Sequence, residues 1–250
     1  MATDDPPRRL DLALVARGLA ASRAQARDLV KRGAVSVRGV TVIRPAMTVA
    51  AADAIAVAEG AGKFVSRGAL KLLAALDQFQ FDPAGRTALD VGASTGGFTQ
   101  VLLQRGAAHV YAIDVGHAQL NPRVAGDTRV TSLERRDARS LTRADIPAPI
   151  AAIVADVSFI SVTKVLPAAL ALSAPGCWLV VLVKPQFEAG REAVGKRGIV
   201  RDPEDRRRAL ATVETWIRAQ PGWRTVGKLP SPIAGGSGNL ECLVGAVRDA

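Results

Sequence analysis

Ala88-Leu-Asp-Val-Gly-Ala-Ser-Thr-Gly-Gly-Phe-Thr99 is the stretch that decides the fold. A short apolar run reaches Asp90, a loop with three glycines follows, and helix-forming residues resume at Phe98. Strand, glycine loop and helix in that order make the opening unit of an open α/β sheet. Gly92, Gly96 and Gly97 allow a tight turn and a close approach of backbone to ligand, which a Cβ would obstruct. A dinucleotide fingerprint would read Gly-x-Gly-x-x-Gly here, and Asp90 departs from it. A carboxylate at this point suits the amino group or hydroxyls of a cofactor and would repel a pyrophosphate. Gly92, Ser94, Thr95 and Gly97, with Asp90, are the cofactor-binding candidates of this loop.

Outward from it, apolar runs at Ala88–Val91, His109–Ile113, Arg129–Leu133, Ala151–Ala155 and Leu179–Val183 alternate with helix-length segments. The clearest of these segments are Ser66–Gln78, Phe98–Arg105 and Val162–Leu172. Near-continuous apolar strands separated by helices predict a parallel sheet covered on both faces. The expected fold is a doubly wound, mostly parallel, Rossmann-like α/β domain. The last run, Leu240–Val247, follows a glycine-rich turn and reads as an added antiparallel strand.

Ligands bind at the carboxyl ends of such strands, so polar residues there carry the functional signal. Asp114 lies 24 residues after Asp90, placed to accept hydrogen bonds from ribose hydroxyls. Asp137 follows the third strand. This succession of acids after Asp-x-Gly-x-x-x-Gly resembles the S-adenosylmethionine site of Rossmann-like methyltransferases, with Asp137 toward an adenine amino group. Asp156 and Lys184 each close a strand that reads as buried, so both should emerge in the ligand crevice. Glu241 interrupts an apolar run, an odd place for a carboxylate. Lys71 lies on the Ser66–Gln78 helix, one turn after Arg67.

Residues 8–60 read as a separate basic module. A helix from Leu10 to Arg17 ends at Gly18. Ser22 and Gln25 form a capping box for a second helix, which Gly33 closes. Arg23, Arg27 and Lys31 fall on one stripe of that helix, a pattern suited to RNA phosphates. Ala34–Val37 then turns through Arg38-Gly39 into Val40–Ile43. Arg8–Arg44 holds nine Lys or Arg and two Asp. Two short helices, the second basic, before a glycine-turned hairpin resemble the S-four type RNA-binding domain. The predicted division is 1–60 for this module, 61–65 for a linker overlapping the polar, glycine-containing stretch Glu59–Lys63, and 66–250 for the larger domain.

The 250 residues are 48% hydrophobic and 22% charged, which excludes global disorder. Lys and Arg total 33 against 23 Asp and Glu, a net charge of +10 that points to a polyanionic partner. Cys177 and Cys242 both lie in apolar runs, against a disulfide framework and in favour of a reducing compartment. The polar start, Met1–Arg9, is no secretory signal, and the longest apolar runs, such as Trp178–Val183, are too short to span a bilayer. The expectation is a soluble, cytoplasmic protein, with oligomeric state left open.

Five motifs taken in order resemble the TlyA family, also labelled hemolysin A. They are Ser66-Arg-Gly-Ala-Leu-Lys-Leu, Asp90-Val-Gly-Ala-Ser-Thr-Gly-Gly-Phe-Thr, Ala155-Asp-Val-Ser-Phe-Ile-Ser, Val183-Lys-Pro-Gln-Phe-Glu and Gly238-Asn-Leu-Glu. The resemblance covers essentially the whole chain. It implies an S-four type module joined to an FtsJ-like domain that methylates a cytidine ribose 2′-oxygen in ribosomal RNA. S-adenosylmethionine is the implied donor, and ribosomal RNA or ribosomal subunits are the implied partners. The FtsJ-like catalytic tetrad falls on Lys71, Asp156, Lys184 and Glu241. Lys184 is the expected base or orienting group for the hydroxyl, with Asp156 and Glu241 fixing the two lysines and tempering their repulsion. Arg67 joins Arg23, Arg27 and Lys31 as an RNA-binding candidate. Arg191, Lys196, Arg197 and Arg201 form a basic segment that reads equally as a mobile lid over RNA or a solvated loop. No metal is expected, since His109 and His117 show no ligand spacing. Two other readings compete. An RNA-binding factor on an inactive methyltransferase fold is disfavoured by the intact tetrad, and a pore-forming role by the lack of a spanning segment.

Overall fold

A computed structural model describes residues 6–20, 22–31, 33–58, 64–235 and 238–249. Residues 61–63 of the expected 61–65 linker, with 59 and 60 before them, lie outside the described residues. The chain divides into two compact units, Met1–Arg67 and Gly68–Ala250. Among the described residues no helix is long and apolar enough to cross a membrane.

The first unit holds β1 (Arg8–Arg9), α1 (Leu10–Ala16), α2 (Arg23–Lys31), β2 (Val35–Val37), β3 (Val40–Val42), β4 (Thr48–Val49) and β5 (Ile55–Val57). Its helices end as the glycines predict, since Gly18 and Gly33 both adopt the left-handed conformation after the last turn. The Gln25 amide donates to Ser22 Oγ at 3.2 Å, one half of the expected capping box. Arg38 and Gly39 both have positive φ, as a two-residue hairpin turn requires. The sheet runs β3-β2-β5, all antiparallel, and β1 pairs with β4. Leu10, Leu14, Ala26, Leu29, Val30 and Val35 form its core.

The second unit contains α3 (Gly68–Phe79), β6 (Thr87–Val91), α4 (Gly97–Gln104), β7 (His109–Asp114), α5 (Pro122–Ala125), β8 (Val130–Glu134), β9 (Ile150–Ala155) and α6 (Val162–Ala171). It continues through β10 (Ser173–Val183), α7 (Pro185–Glu188), α8 (Pro203–Arg218), β11 (Trp223–Pro230) and β12 (Cys242–Arg248). One seven-stranded sheet has the order β11-β12-β10-β9-β6-β7-β8. The block from β10 to β8 is parallel, and β12 runs antiparallel to both its neighbours. The five predicted parallel strands are all present, and the last apolar run is the antiparallel strand, starting at Cys242 rather than Leu240. Its core is aliphatic, with Leu89, Ile113, Ile153, Leu166, Leu179 and Val181 among its members.

Four elements of this unit were not expected from sequence: the short helices α5 and α7, helix α8 and strand β11. Helix α8 starts at the Asp202 cap, whose side chain accepts from the Glu204 amide, with Pro203 in its first turn. It buries Ala209, Val213 and Ile217, four residues apart, and leaves its arginines outside. Strand β11 alternates inward and outward residues at the sheet edge, next to β12.

The chain passes from β6 to β7 on one side and returns at β9 on the other. β6 and β9 therefore flank the point where strand order reverses, the place where such sheets bind ligands.

Candidate active site

A cavity of about 360 Å³ opens at that reversal point, within the range of roughly 300–1,000 Å³ typical of small-molecule sites. Gly92 from the end of β6, Asp114 from β7 and Asp156 from the end of β9 all face it. The Gly92 loop lies so close to β9 that a Cβ there would stand 2.6 Å from the Asp156 carbonyl oxygen. Gly96 has φ +90° and caps α4, where a Cβ would stand 2.7 Å from Leu120 Cδ1. A side chain at 92 would push the loop off the Asp156 backbone, and one at 96 would carry a strained positive φ and displace the Leu120 tip. Gly97 is the first residue of α4, and Thr95 is exposed, its carbonyl accepting from the Asn121 amide. Of the loop candidates, Gly92 and Ser94 line the cavity.

Asp114 ties two loops together. Its Oδ2 accepts from the Ser94 amide and its Oδ1 from the Gly116 amide, both at 2.7 Å. Each oxygen keeps a lone pair for a ligand hydroxyl. Glu134, opposite Asp114 on β8, accepts from the amides of Ala118, Gln119 and Leu120, which hold its carboxyl below the ordinary range. That clamp fixes Gln119 on the cavity wall.

Two sequence-predicted acids take positions the sequence did not reveal. Asp137 faces the cavity, but its carboxylate is already gripped by Arg139, whose Nη2 stands 2.6 Å from Oδ2. This pairing holds Asp137 below its ordinary pKa. Asp90 is fully buried behind the cavity wall. Its Oδ2 accepts from Thr99 Oγ1 at 2.6 Å, and its Oδ1 has no hydrogen-bond partner. Desolvation, outweighing the Thr99 hydrogen bond, pushes its carboxyl up to about 7.

The four residues of the predicted tetrad gather at adjacent strand ends as two ion pairs. Val91 pairs with Ala155, Ala155 with Val181, and Val183 with Cys242. One step beyond these rungs come Asp156, Lys184 and, on the antiparallel strand, Glu241. Lys184 Nζ stands 2.6 Å from Asp156 Oδ1 and donates a hydrogen bond to Ser158 Oγ at 2.9 Å. Lys71, from the buried face of α3, reaches Glu241 Oε2 at 2.5 Å. Each lysine thus has its own carboxylate, the arrangement expected to temper their repulsion.

Residues not singled out from sequence complete the lip. Phe159 lines the cavity yet is 91% exposed, and its backbone has φ +68°. A bulky side chain in that conformation costs about 1–2 kcal/mol, which an exposed loop tip does not need. Phe187 packs against it with ring centroids 5.5 Å apart. Glu188 accepts from Ser161 Oγ and the Val162 amide, joining the start of α6 to α7. Its carboxyl is pushed up by burial, partly offset by those donors. The stretch 156–161 is therefore fastened to 184–188 by an ion pair, a ring contact and carboxylate hydrogen bonds. The sequence signal for this was Phe159 within the Ser158-Phe-Ile-Ser161 run, three residues after the strand-end Asp156.

The FtsJ-like methyltransferase model matches residues 64–248, and the S4 domain model matches residues 8–55. The chain belongs to the FtsJ-like methyltransferase family, in the TlyA group that carries an S4 domain. It is 48% identical over 235 residues to the 16S/23S rRNA (cytidine-2′-O)-methyltransferase TlyA of Mycobacterium tuberculosis, covering 93% of this chain and 87% of that protein. A solved hemolysin-like protein of Streptococcus thermophilus superposes with a TM-score of 0.76 at 38% identity, over 98% of this chain and 89% of that one. The O-methyltransferase TomG of Streptomyces achromogenes, solved with S-adenosylmethionine, shares the fold at a TM-score of 0.52 and 17% identity, over 74% of this chain and 82% of that one. This TlyA-group chain thus carries the fold on which methyltransferases hold S-adenosylmethionine.

The RNA candidates lie in the first unit. Arg27 and Lys31 are exposed and have no acidic partner among the described residues. Arg23 differs, because its Nε donates to Asp11 Oδ2 at 3.1 Å, sharing that carboxylate with Arg9. The Arg67 guanidinium lies beside Gly33, at the end of α2.

Proposed function

We propose that this chain transfers a methyl group from S-adenosylmethionine to the ribose 2′-oxygen of a cytidine in ribosomal RNA. The observation that carries the reading is the Lys184–Asp156 pair on the lip of the switch-point cavity, with Lys71–Glu241 at the next strand end. The residues present fit the donor. Gly92 lines the cavity with its backbone close against Asp156, and Asp114 offers two carboxylate oxygens with spare lone pairs. Gly92, Ser94 and Asp114 would hold it, with Gln119 and the Asp137–Arg139 pair on the adenosine side. Bound there, the cofactor supplies a methyl group already activated on a sulfonium.

What remains for the protein is to place the hydroxyl and remove its proton. Lys184 does both. Its nitrogen lies between Asp156 and Ser158; as the free amine, its proton released beforehand to solvent, it takes the 2′-hydroxyl proton while the oxygen accepts the methyl, and the resulting ammonium rests against the Asp156 carboxylate. Asp156 stabilises the ammonium, and Ser158 fixes where it points. Lys71 neutralises Glu241 and holds the end of β12 against α3. Phe159 offers an exposed aromatic face beside the cavity for the target base, a contact worth roughly 1–3 kcal/mol per base. Arg27 and Lys31 contact phosphates, which carry affinity and little sequence information.

The test is a map of 2′-O-methylated positions in ribosomal RNA from cells with and without this gene, paired with transfer of labelled methyl by the purified chain. A cytidine methylated only when the gene is present, and restored in vitro, is the expected result. Identical maps together with cofactor binding would establish the non-catalytic RNA-binding reading instead.

A further inference from the structure

A second cleft, of about 310 Å³, opens on the other side of Lys184. The first cavity is bounded by Asp156 and Ser158, the two residues Lys184 contacts. The second is bounded by Val183 and Pro185, its chain neighbours, and by Glu241. One ion pair of the tetrad therefore borders each space. The walls of the second are apolar, from Pro185, Leu210, Pro230 and Leu240. Leu240 is 61% exposed there, although it directly precedes the buried Glu241.

The rim of this cleft is cationic and rigidly built. Arg206 lines it and donates through Nη1 to the carbonyls of Val200 and Arg201. Buried Asn239 accepts from the Val200 amide through Oδ1 at 3.0 Å and donates through Nδ2 to the Gly198 carbonyl at 2.8 Å. The segment 198–201 is thus pinned beside the catalytic Glu241 from two directions. Arg201 is exposed on this segment and has no acidic partner among the described residues. Eight of the other sixteen arginines of this unit do have one, Arg105, Arg129, Arg136, Arg139, Arg218 and Arg224 among them. An unneutralised guanidinium on a backbone segment held by the cleft-lining Arg206 is a complement for a phosphate whose base enters the apolar cleft.

We propose that this cleft is a second nucleotide subsite, taking the base of a nucleotide that flanks the target and holding its phosphate on Arg201. The proposal rests on RNA being the substrate and adds what the first cavity lacks, a way to fix the strand on both sides of the reacting ribose. The base contact is apolar and insensitive to salt. The phosphate contact is electrostatic and releases a counterion.

Those two halves are separable by experiment. Purified full-length chain is assayed on ribosomal subunits from cells lacking the gene, with Leu240→Ala, Arg201→Gln and the double variant. Leu240→Ala should raise the KM for subunits roughly tenfold, leaving kcat, cofactor affinity and the salt slope of binding unchanged. Arg201→Gln should also raise KM while reducing the salt slope by about one counterion. Unchanged KM in both single variants overturns the subsite, and so does a loss of cofactor affinity in Leu240→Ala, which would make the cleft a support of the first cavity. A wild-type chain that methylates no subunit would overturn the proposed function itself, a result distinct from either.

Discussion

Asp11 and Asp156 are both carboxylates bound to basic side chains, and they serve different ends. Asp11 is fully buried in the first unit, with Arg9 on both oxygens and Arg23 on one. Nothing further can reach it, and its role is to lock β1, α1 and α2 together. Asp156 holds a single lysine at the edge of a cavity, and that lysine holds a serine as well. Saturated charge builds structure, whereas charge with room beside it is available for chemistry. The same distinction separates Arg23, half engaged by Asp11, from Arg27 and Lys31 on the same stripe.

The comparison is broken most severely at Lys184. Lys184→Ala should leave the fold and cofactor affinity intact and lower single-turnover methyl transfer by roughly 10²–10⁴-fold, the usual worth of a positioned acid–base group. Lys184→Arg should rescue little, because a guanidinium stays protonated and has another shape. Near-normal transfer in Lys184→Ala would place the chemistry elsewhere.

Asp11→Ala should do the reverse, costing roughly 2–3 kcal/mol of first-unit stability by loss of charge-assisted hydrogen bonds to half-exposed arginines. Faster hydrogen exchange across α1 and α2, with unchanged cofactor affinity, is the expected signature. The Arg9 hydrogen bonds lower the Asp11 pKa to about 2, so its contribution is complete above the ordinary value of 3.8. That contribution should disappear as pH falls through about 2, and Asp11→Asn should remove this acid transition.

Phe159→Ala sharpens the comparison at the lip. The ring is exposed and alanine keeps the same positive φ, so stability should be nearly unchanged. The KM for RNA should increase by roughly five- to a hundredfold if a base stacks on the ring. An unchanged KM would leave Phe159 to Phe187 alone.

The last comparison is with Asp90, whose environment matches Asp11 in burial and opposes it in sign. Burial raises its folded pKa to about 7, so the folded state retains a proton that the unfolded chain releases near 3.8. Stability should therefore decline as pH rises from about 4 to 7. Thermal midpoints across that interval should flatten in Asp90→Asn, and an unaltered slope would assign the titration to another group.

Much of the second unit was legible because its strands are buried on both faces. An apolar run that stops at a single charge marks a strand end, and Asp114, Asp156 and Lys184 all stand there. Asp90 is one rung short of the end of β6, and that single position turns its side chain from the cavity to Thr99. The sequence did not display partners that are remote along the chain, such as Glu188 on Ser161 or Asn239 on Val200. Arg139 is only two residues from Asp137, but its grip depends on the turn between them. Helix α8 was hidden by its own charge: the arginines of Pro203–Arg218 read as a basic surface, while Ala209, Val213 and Ile217 carried the buried spacing. β11 was obscured by Gly227, Lys228 and Pro230, which a sheet edge tolerates and an interior strand does not.

Strand β12 is made after β11 yet lies between β11 and β10, and it carries Glu241 to Lys71 across 170 residues of sequence. During synthesis, therefore, the first cavity has all its walls well before the second ion pair exists. A growing chain can house a cofactor-sized molecule while Lys71 still lacks its carboxylate and the sheet still has a gap. On the proposed mechanism, competence for the reaction arrives with one of the final strands, so the order in which the ribosome delivers residues would keep an unfinished enzyme silent.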